Sequence, residues 1–493
     1  MNRYQQFGKF VGLVALLSQG CINFTQAQSI DDLDNEFDAL DAQLEQHFEQ
    51  QDKVLETRFI QVKNAVDRAY KGLTQKISVN WHEDIILPAA QSWTTYDESF
   101  STRATFDFKG GVYQVETIVD GDIAKSLLQL QSFAAKIAKS DKSQLQQVDV
   151  FQQSLQQELK QTDLAQLSLI QPQIKSEPYV DVEQILAADT AKIIENLSVD
   201  NISQSAEDAE LAQSSFRNHN SKPAAVNLDI QNSKFLKAKN IIEPSLILQS
   251  TDLAAKEILD NPAVNITENI KTDITKSINV SAQNALVINA PTLVLQTKQS
   301  VKRLVLTIPY LNNYQKNLIE GKLDTVSSLA NKYQLDVSLI LALIETESSF
   351  NPMAMSPVPA FGLMQLVPNT AGVDAYEFLY GKKQIVSPAY LFDQNNNLLL
   401  GTTYLHLLSK RYLRGIKNQQ SKLYCMLASY NTGVGNLAKT FTGKKSINLA
   451  VQKINNLQAQ QTYEQLMANL PAEETKNYLR KILARKQQYT HFD

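Results

Sequence analysis

Residues 335–352 read LDVSLILALIETESSFNP, and the spacing of apolar residues in this stretch decides how the C-terminal part folds. Apolar side chains recur at three- and four-residue steps, the pattern of a helix with one buried stripe. Asp336 is the expected N-cap, and Asn351-Pro352 is the expected stop. Two glutamates fall inside, Glu345 and Glu347. At roughly 100° per residue, positions two apart point to nearly opposite sides of a helix. Glu347 shares its side with Ile340, Leu343 and Ile344, whereas Glu345 shares its side with Gln334 and Ser338. The reading therefore puts Glu347 on the apolar face near the C-terminal end and leaves Glu345 solvated. Removal from water and the negative end of the helix dipole both raise the pKa of Glu347. A carboxyl that is still protonated near neutral pH can hand its proton to a glycosidic oxygen. Periodicity alone favours an ordinary polar residue at a helix end.

Further motifs follow. Glu347-Ser348-Ser349-Phe350-Asn351-Pro352 leads into Ser356-Pro357-Val358-Pro359-Ala360-Phe361-Gly362-Leu363-Met364-Gln365-Leu366-Val367-Pro368. Then come Leu391-Phe392-Asp393 with Asn397, Gly401 and Tyr404-Leu405, next Ser429-Tyr430-Asn431-Thr432-Gly433, and last Glu474-Thr475 with Tyr478. In this order and spacing, residues 315–490 resemble the soluble-lytic-transglycosylase domain, a goose-lysozyme-like α fold. The stretch from Trp81 to Ile118 resembles the N-terminal domain of the membrane-bound lytic murein transglycosylase C family. Pro359 and Val367 depart from that pattern, where many relatives have glycine and methionine; both bear on groove shape, and neither removes an acid or base.

The resemblance implies that Glu347 is the catalytic acid and then base. It implies that Ser356 and Gln365 line the cleft, that Gly362, Leu363 and Met364 shape its wall, that Tyr430 and Asn431 face Glu347, and that Tyr478 closes the site. By residue type alone, Leu363 and Met364 read as packing and Gly362 as a backbone position. The implied reaction is non-hydrolytic cleavage of the β-1,4 bond after N-acetylmuramic acid, with closure of a 1,6-anhydro ring. Most glycosidases pair two carboxyls; no second acid among these motifs has a comparable claim, and Asp393 reads as a helix cap. A lysozyme-like hydrolase on the same fold and a non-catalytic peptidoglycan-binding scaffold are the competing readings.

Over all 493 residues, 43% are hydrophobic and 20% charged, enough for sizeable buried cores. A formal net charge of −4 gives no whole-molecule attraction to nucleic acid. The five histidines are scattered and form no Cys/His cluster, so neither a metal nor another cofactor is expected. Cys425 reads as a small buried hydrophobe.

Arg3 and Lys9 precede the apolar run FVGLVALL at 10–17, which suits a secretory leader over 1–27. Ser18-Gln19-Gly20-Cys21 resembles a lipobox that would leave a lipid on Cys21; Thr25-Gln26-Ala27 offers the alternative cut. Either way the expected compartment is the periplasm, with attachment to the inner leaflet of the outer membrane if Cys21 is lipidated. Glycan strands are the expected partner; no protein partner can be named.

From residue 29 to 74 an apolar stripe (Ile30, Leu33, Phe37, Leu40, Leu44, Phe48, Leu55, Phe59, Val62, Val66) predicts one long helix, packed on its own domain or on a partner. Alternation over 101–108 and 112–119 predicts two strands around a Lys109-Gly110-Gly111 turn, and 301–308 a further strand. Half of the 16 glycines lie between Gly362 and Gly443, marking tight loops between helices. The expected architecture is α+β overall: an α+β domain over 28–310, with a long helical or partly disordered insertion at about 125–295, then a mainly α lysozyme-like catalytic domain over 311–493.

Overall fold

The computed structural model describes residues 30–160, 182–187, 189–197, 228–229, 291–298 and 301–493. The leader, Cys21 and the 204–224 stretch lie outside the described residues.

The predicted long helix runs as α1, Ile30–Trp81. From Val62 onward, Val66, Ala69, Leu73, Ile77 and Trp81 recur at three or four residues and are buried, so this part of the helix packs on its own chain, while the side chains of Ile30, Leu33, Phe37, Leu40, Leu44 and Phe48 lie outside the described residues. Three strands follow: β1 (Ser92–Tyr96), β2 (Thr102–Asp107) and β3 (Val112–Ile118). Next come α2 (Ile123–Lys139), α3 (Lys142–Val148), α4 (Val150–Lys160), α5 (Val182–Ile185) and α6 (Thr190–Glu195). Strands β4 (Leu228–Asp229), β5 (Thr292–Lys298) and β6 (Val301–Pro309) complete one antiparallel sheet in the order β1-β2-β3-β6-β5-β4.

The β2–β3 hairpin forms where alternation placed it. Asp107 accepts hydrogen bonds from the amides of Lys109 (3.0 Å) and Gly110 (2.8 Å), and Gly111 takes φ +66°, a conformation that suits glycine. Strand β1 was not read from the sequence, although it carries Trp93, whose indole donates to Asp149 at 2.8 Å. The stretch expected as an insertion begins as packed structure. Leu127, Leu130, Phe133, Ala134 and Ile137 of α2 are buried, and Asp122 caps that helix by accepting from Ala124 and Lys125 amides.

Arg103, Glu116, Asp84 and Arg303 form a buried ion cluster on the sheet. Arg103 pairs with Glu116 at 2.5 Å and Asp84 at 2.9 Å, and its guanidinium lies 4.0 Å from the Trp81 ring centre. Arg303 pairs with Glu116 at 3.2 Å and also contacts Asp84. Burial would raise the Asp84 carboxyl, but Lys298, Arg103 and Arg303 outweigh it and hold the group well below the usual carboxylate range.

From Tyr314 onward the described chain is helical: α7 (Tyr314–Tyr333), α8 (Val337–Ser348), α9 (Val373–Tyr380), α10 (Pro388–Phe392), α11 (Gln394–Leu407), α12 (Gln419–Thr432), α13 (Val434–Thr442), α14 (Ile447–Asn455), α15 (Ala459–Asn469) and α16 (Glu473–Gln488). This part seats directly against the sheet. The Tyr310 amide donates to Gly111 O at 2.8 Å, and the Tyr314 ring packs edge-on to Tyr310 at 4.9 Å. Asn351 donates through Nδ2 to Ala90 O at 3.2 Å. Lys383 reaches Asp52 of α1 at 3.3 Å. The observed class is α+β, with a mainly α C-terminal part.

Candidate active site

Helix α8 is apolar almost throughout. Leu339 to Ile344 are all buried, whereas Glu345, Thr346 and Glu347 of the last turn are half-buried. The helix ends at Ser348 because Ser349 and Phe350 both adopt left-handed backbone, φ +51° and +64°. Asn351 then turns the chain by accepting from the Met353 amide at 2.9 Å. Asp336 takes the N-cap position, but its side chain makes no capping bond there; it pairs with Lys486 at 2.8 Å. The open amide and hydroxyl of Ser338 bind the Asp493 carboxylate instead, at 2.8 and 2.7 Å.

Glu347 is half-buried, and its Oε1 accepts a hydrogen bond from the Tyr478 hydroxyl at 2.6 Å. Burial raises its pKa most; the Tyr478 hydrogen bond lowers it, and the negative charge of Glu474 raises it again. The net result is a carboxyl pushed up to about 8 from its ordinary 4.5. Burial, with Glu347 and Tyr430 adding to it, also pushes the Tyr478 phenol well up, so that phenol keeps its proton and stays a donor.

Glu345 departs from the expectation that it is solvated. Its carboxylate pairs with Arg485 at 3.2 Å and accepts from the Tyr489 hydroxyl at 2.8 Å. The reason is tertiary: α16 and the residues after it cover this side of α8. Two carboxyls two residues apart thus meet unlike surroundings, the cation of Arg485 for Glu345 and the Tyr478 hydroxyl with the negative Glu474 for Glu347.

The loop after α8 holds most of the remaining expected residues. Gly362 needs φ +75°, and a Cβ there would sit 2.3 Å from Leu391 O. Asn397, fully buried on α11, donates to Phe361 O and Leu391 O and accepts from the Met364 amide, each at 2.8 Å. Leu363 and Met364 are buried in the core, and Met364 lies against Gly401, where a Cβ would meet its sulfur at 2.3 Å. Gln365, also left-handed at φ +46°, donates to Gly362 O at 3.0 Å. Ser356 turns its hydroxyl to Val358 O within its own loop.

Tyr430 joins this loop to the acid. Its hydroxyl donates to Met364 O at 2.8 Å, and the charge on Glu347 is among the causes that raise its pKa. Asn431 is exposed and accepts from Thr475 at 2.8 Å, one turn before Tyr478 on α16. Glu347, Tyr478 and Tyr430 therefore come together, with Met364 bonded behind Tyr430. Ser356 and Gln365 are held in the adjoining loop with no bond to Glu347. Asp393 caps α11 through the Asn396 amide at 2.8 Å, and Cys425 is buried.

Three residues gained a part here that residue-level reading had not given them. Asn397 is the hub of the loop, the last of the amides in QNNN before the leucines of α11. Glu474 and Arg485 act on the two glutamates from α16, at separations that no helical period reveals.

The family described as Transglycosylase SLT domain matches residues 324–455, and that described as Membrane-bound lytic murein transglycosylase C, N-terminal domain, matches 59–196. Among curated proteins, Membrane-bound lytic murein transglycosylase C of Haemophilus influenzae is 36% identical over 41% of this chain and 57% of its own length. The protein of that name from Yersinia enterocolitica is 39% identical over 37% of this chain and 50% of its own. The chain thus spans about half the length of the curated relatives it matches. Among solved structures, an inactive mutant of the lytic transglycosylase Slt from Pseudomonas aeruginosa aligns over 50% of this chain and 37% of its own, at 17% identity and a TM-score of 0.27. The 70 kDa soluble lytic transglycosylase of Escherichia coli aligns over 75% and 62%, at 15% identity and a TM-score of 0.27. The two matched segments fall one on the α1–α6 region and one on the helical part, and over those segments the chain is similar to the membrane-bound lytic murein transglycosylase C N-terminal domain and to the SLT domain.

Proposed function

We propose that this protein is a peptidoglycan lytic transglycosylase in which Glu347 is the only side-chain acid and base. The observation that carries the reading is the half-buried Glu347 carboxyl, raised to about 8 and bonded to Tyr478. At neutral pH it is protonated and can donate to the bridging oxygen of the β-1,4 bond between N-acetylmuramic acid and N-acetylglucosamine. The substrate's own N-acetyl oxygen stabilises the cationic sugar carbon, as in substrate-assisted glycosidases. Glu347, now a carboxylate steadied by Tyr478, takes the proton from the C6 hydroxyl of the same sugar, and that oxygen closes a 1,6-anhydro ring. The proton given in the first step is regained in the second, and no water is consumed. The attack is intramolecular and gains from proximity.

In this reading Tyr430 and Asn431 flank the acid from α12, and Ser356 and Gln365 contact the sugar acetamido groups from the loop. Gly362, Leu363 and Met364 give that loop its shape. The boundaries at about residue 310 and the 125–295 insertion belong to the same proposal. So does export to the periplasm with a lipid on Cys21. Its support is the lipobox-like sequence and the relatives' description as membrane-bound; among the described residues no helix is long and apolar enough to cross a membrane.

Digestion of purified sacculi followed by mass spectrometry tests the reading. The expected products end in anhydro-muramic acid, and Glu347→Gln gives none. Reducing muramic ends from the wild-type protein would replace the proposed chemistry with hydrolysis.

A further inference from the structure

Between Asp393 and Glu464 the chain carries nine Lys or Arg residues and no Asp or Glu. The whole chain has a formal net charge of −4, so this stretch is a local reversal of sign. It runs from α11 to the start of α15.

Apolar anchors decide which way these cations face. Leu413 and Ile416 bury the turn after α11, Leu437, Ala438 and Phe441 bury one side of α13, and Ala450 and Ile454 bury one side of α14. Lys417, Lys439, Lys444, Lys445 and Lys453 are left exposed. Gly443, at φ +70°, ends α13 and puts Lys444 and Lys445 into the turn before α14. Hydrogen bonds join these pieces into one surface. The Lys417 amide donates to Asn455 Oδ1 at 2.9 Å, and Asn455 Nδ2 donates to Gly415 O at 2.9 Å. Lys453 Nζ donates to Phe441 O at 2.6 Å. A Cβ at Gly435 would sit 3.6 Å from the Lys445 stem, and Gly435 lies in the first turn of α13, just after the end of α12 that carries Tyr430 and Asn431.

Among the described residues, none of these five lysines pairs with a carboxylate. Acids on neighbouring helices are already engaged. Asp374 accepts from the Tyr412 hydroxyl at 2.7 Å, Glu464 accepts from Gln460 at 2.8 Å, and Glu473 pairs with Lys476 and Arg480 at 3.4 and 3.2 Å. Burial first, and then the like charge of Lys410, lowers the pKa of Lys422 at the start of α12. Cations grouped without counter-charges keep a positive field that reaches out about one Debye length, roughly 8–10 Å.

An acidic bilayer and a hydrated polyanion both answer such a field. A face that docks on a bilayer adds apolar side chains that sink below the headgroups. Of the large apolar residues exposed among the described residues, only Leu449 belongs to this stretch. Carboxylates on a hydrated polymer need the cations alone, and the peptide stems of peptidoglycan carry such carboxylates. We infer that the face formed by the 413–417 turn, α13 and α14 holds the protein on peptidoglycan through the carboxylates of its stems, apart from the sugar contacts around Glu347. The inference rests on the reading of the chain as a peptidoglycan-cleaving enzyme, and it deepens that reading by adding a charge-driven attachment to the polymer.

The test mixes the full chain carrying Glu347→Gln with purified sacculi and measures the pelleted fraction at rising sodium chloride. Binding is expected at low salt and should weaken about tenfold or more between roughly 50 and 300 mM. Adding Lys417→Glu, Lys444→Glu and Lys445→Glu should weaken low-salt binding about tenfold or more. The three Gln replacements are the milder companion if charge reversal lowers the melting temperature. Sacculi whose carboxyl groups have been converted to amides should lose the salt-sensitive binding. Equal binding with and without the lysines, or to native and amidated sacculi, overturns the inference. Lysine-dependent binding to phosphatidylglycerol vesicles as tight as to sacculi also overturns it and makes the face a membrane dock. Lysine-dependent binding to sacculi whose glycan the wild-type protein leaves uncut would uphold the face and sink the catalytic reading, so the two failures are told apart.

Discussion

Burial and Glu474 disfavour a charge on Glu347, while the Tyr478 hydroxyl favours it, so each neighbour shifts its titration in a known direction. Tyr478→Phe removes the hydrogen bond that stabilises the carboxylate. The alkaline limb of the pH–rate profile should then move above its wild-type position near 8, with a loss of about tenfold in rate. A tyrosine that only filled space would leave the limb where it was. Glu347→Gln removes the transferable proton, and a fall of roughly 10²–10⁴-fold or more in sacculus digestion is expected. Stability should carry the same signature. The folded state holds the Glu347 proton up to about 8, while the unfolded chain releases it near 4.5. Between those values the folded state binds more protons, so this group's contribution to stability is present at low pH and lost as pH rises. Glu347→Gln suffers no such loss, so its melting temperature should gain on the wild type from pH 4.5 to 8 and level off beyond. At this scale the helical period gave α8 and its end near Ser348, but not that every residue from Ser338 to Ile344 would be buried. The sequence was unreadable for Glu345, because Arg485 and Tyr489 reach that glutamate from more than a hundred positions away.

Helix α11 and the loop that begins at Ser349 depend on each other. Three hydrogen bonds from Asn397 fix the backbone at Phe361, Met364 and Leu391. Asn397→Leu would leave those groups buried without partners, at about 3 kcal/mol by the usual cost of unsatisfied groups. Denaturant unfolding should show it as a lower midpoint with an unchanged slope. Gly362→Ala must fit a Cβ 2.3 Å from Leu391 O at φ +75°, and about 2 kcal/mol or more is expected there too, with activity falling as the loop shifts. Asn397 was visible in the sequence as part of a motif; its three backbone partners were not. The hairpin was legible because Asp107 and the Gly-Gly turn act locally. Strand β1 was not, since SWTTY has no clean alternation and all but its first residue are buried.

At the level of the whole molecule, the sheet and the helical part share a junction of Tyr310, Tyr314, Gly111 and Asn351, and α1 runs alongside both through Lys383–Asp52. Calorimetry should therefore show one main unfolding transition for the two parts, and Tyr314→Ala should separate it into two. Two independent transitions in the wild type would mean the junction contributes little. The long-range organisation was the least legible level. β3 and β6 pair along Val112–Ile118 and Arg303–Pro309 although a long stretch of chain lies between them. Within that stretch α2 and α4 bury apolar faces, on the sheet and on α1. Their short amphipathic patterns gave no hint of which surface would cover them.

The central claim is that Glu347 is uncharged in the folded protein at neutral pH. Isotope-edited infrared titration of the glutamate carboxyls, read as the difference between wild type and Glu347→Gln, measures it directly. The account predicts one protonated carboxyl at pH 6.5 that titrates near 8. A difference spectrum showing that carboxyl already ionised at pH 6 would contradict it.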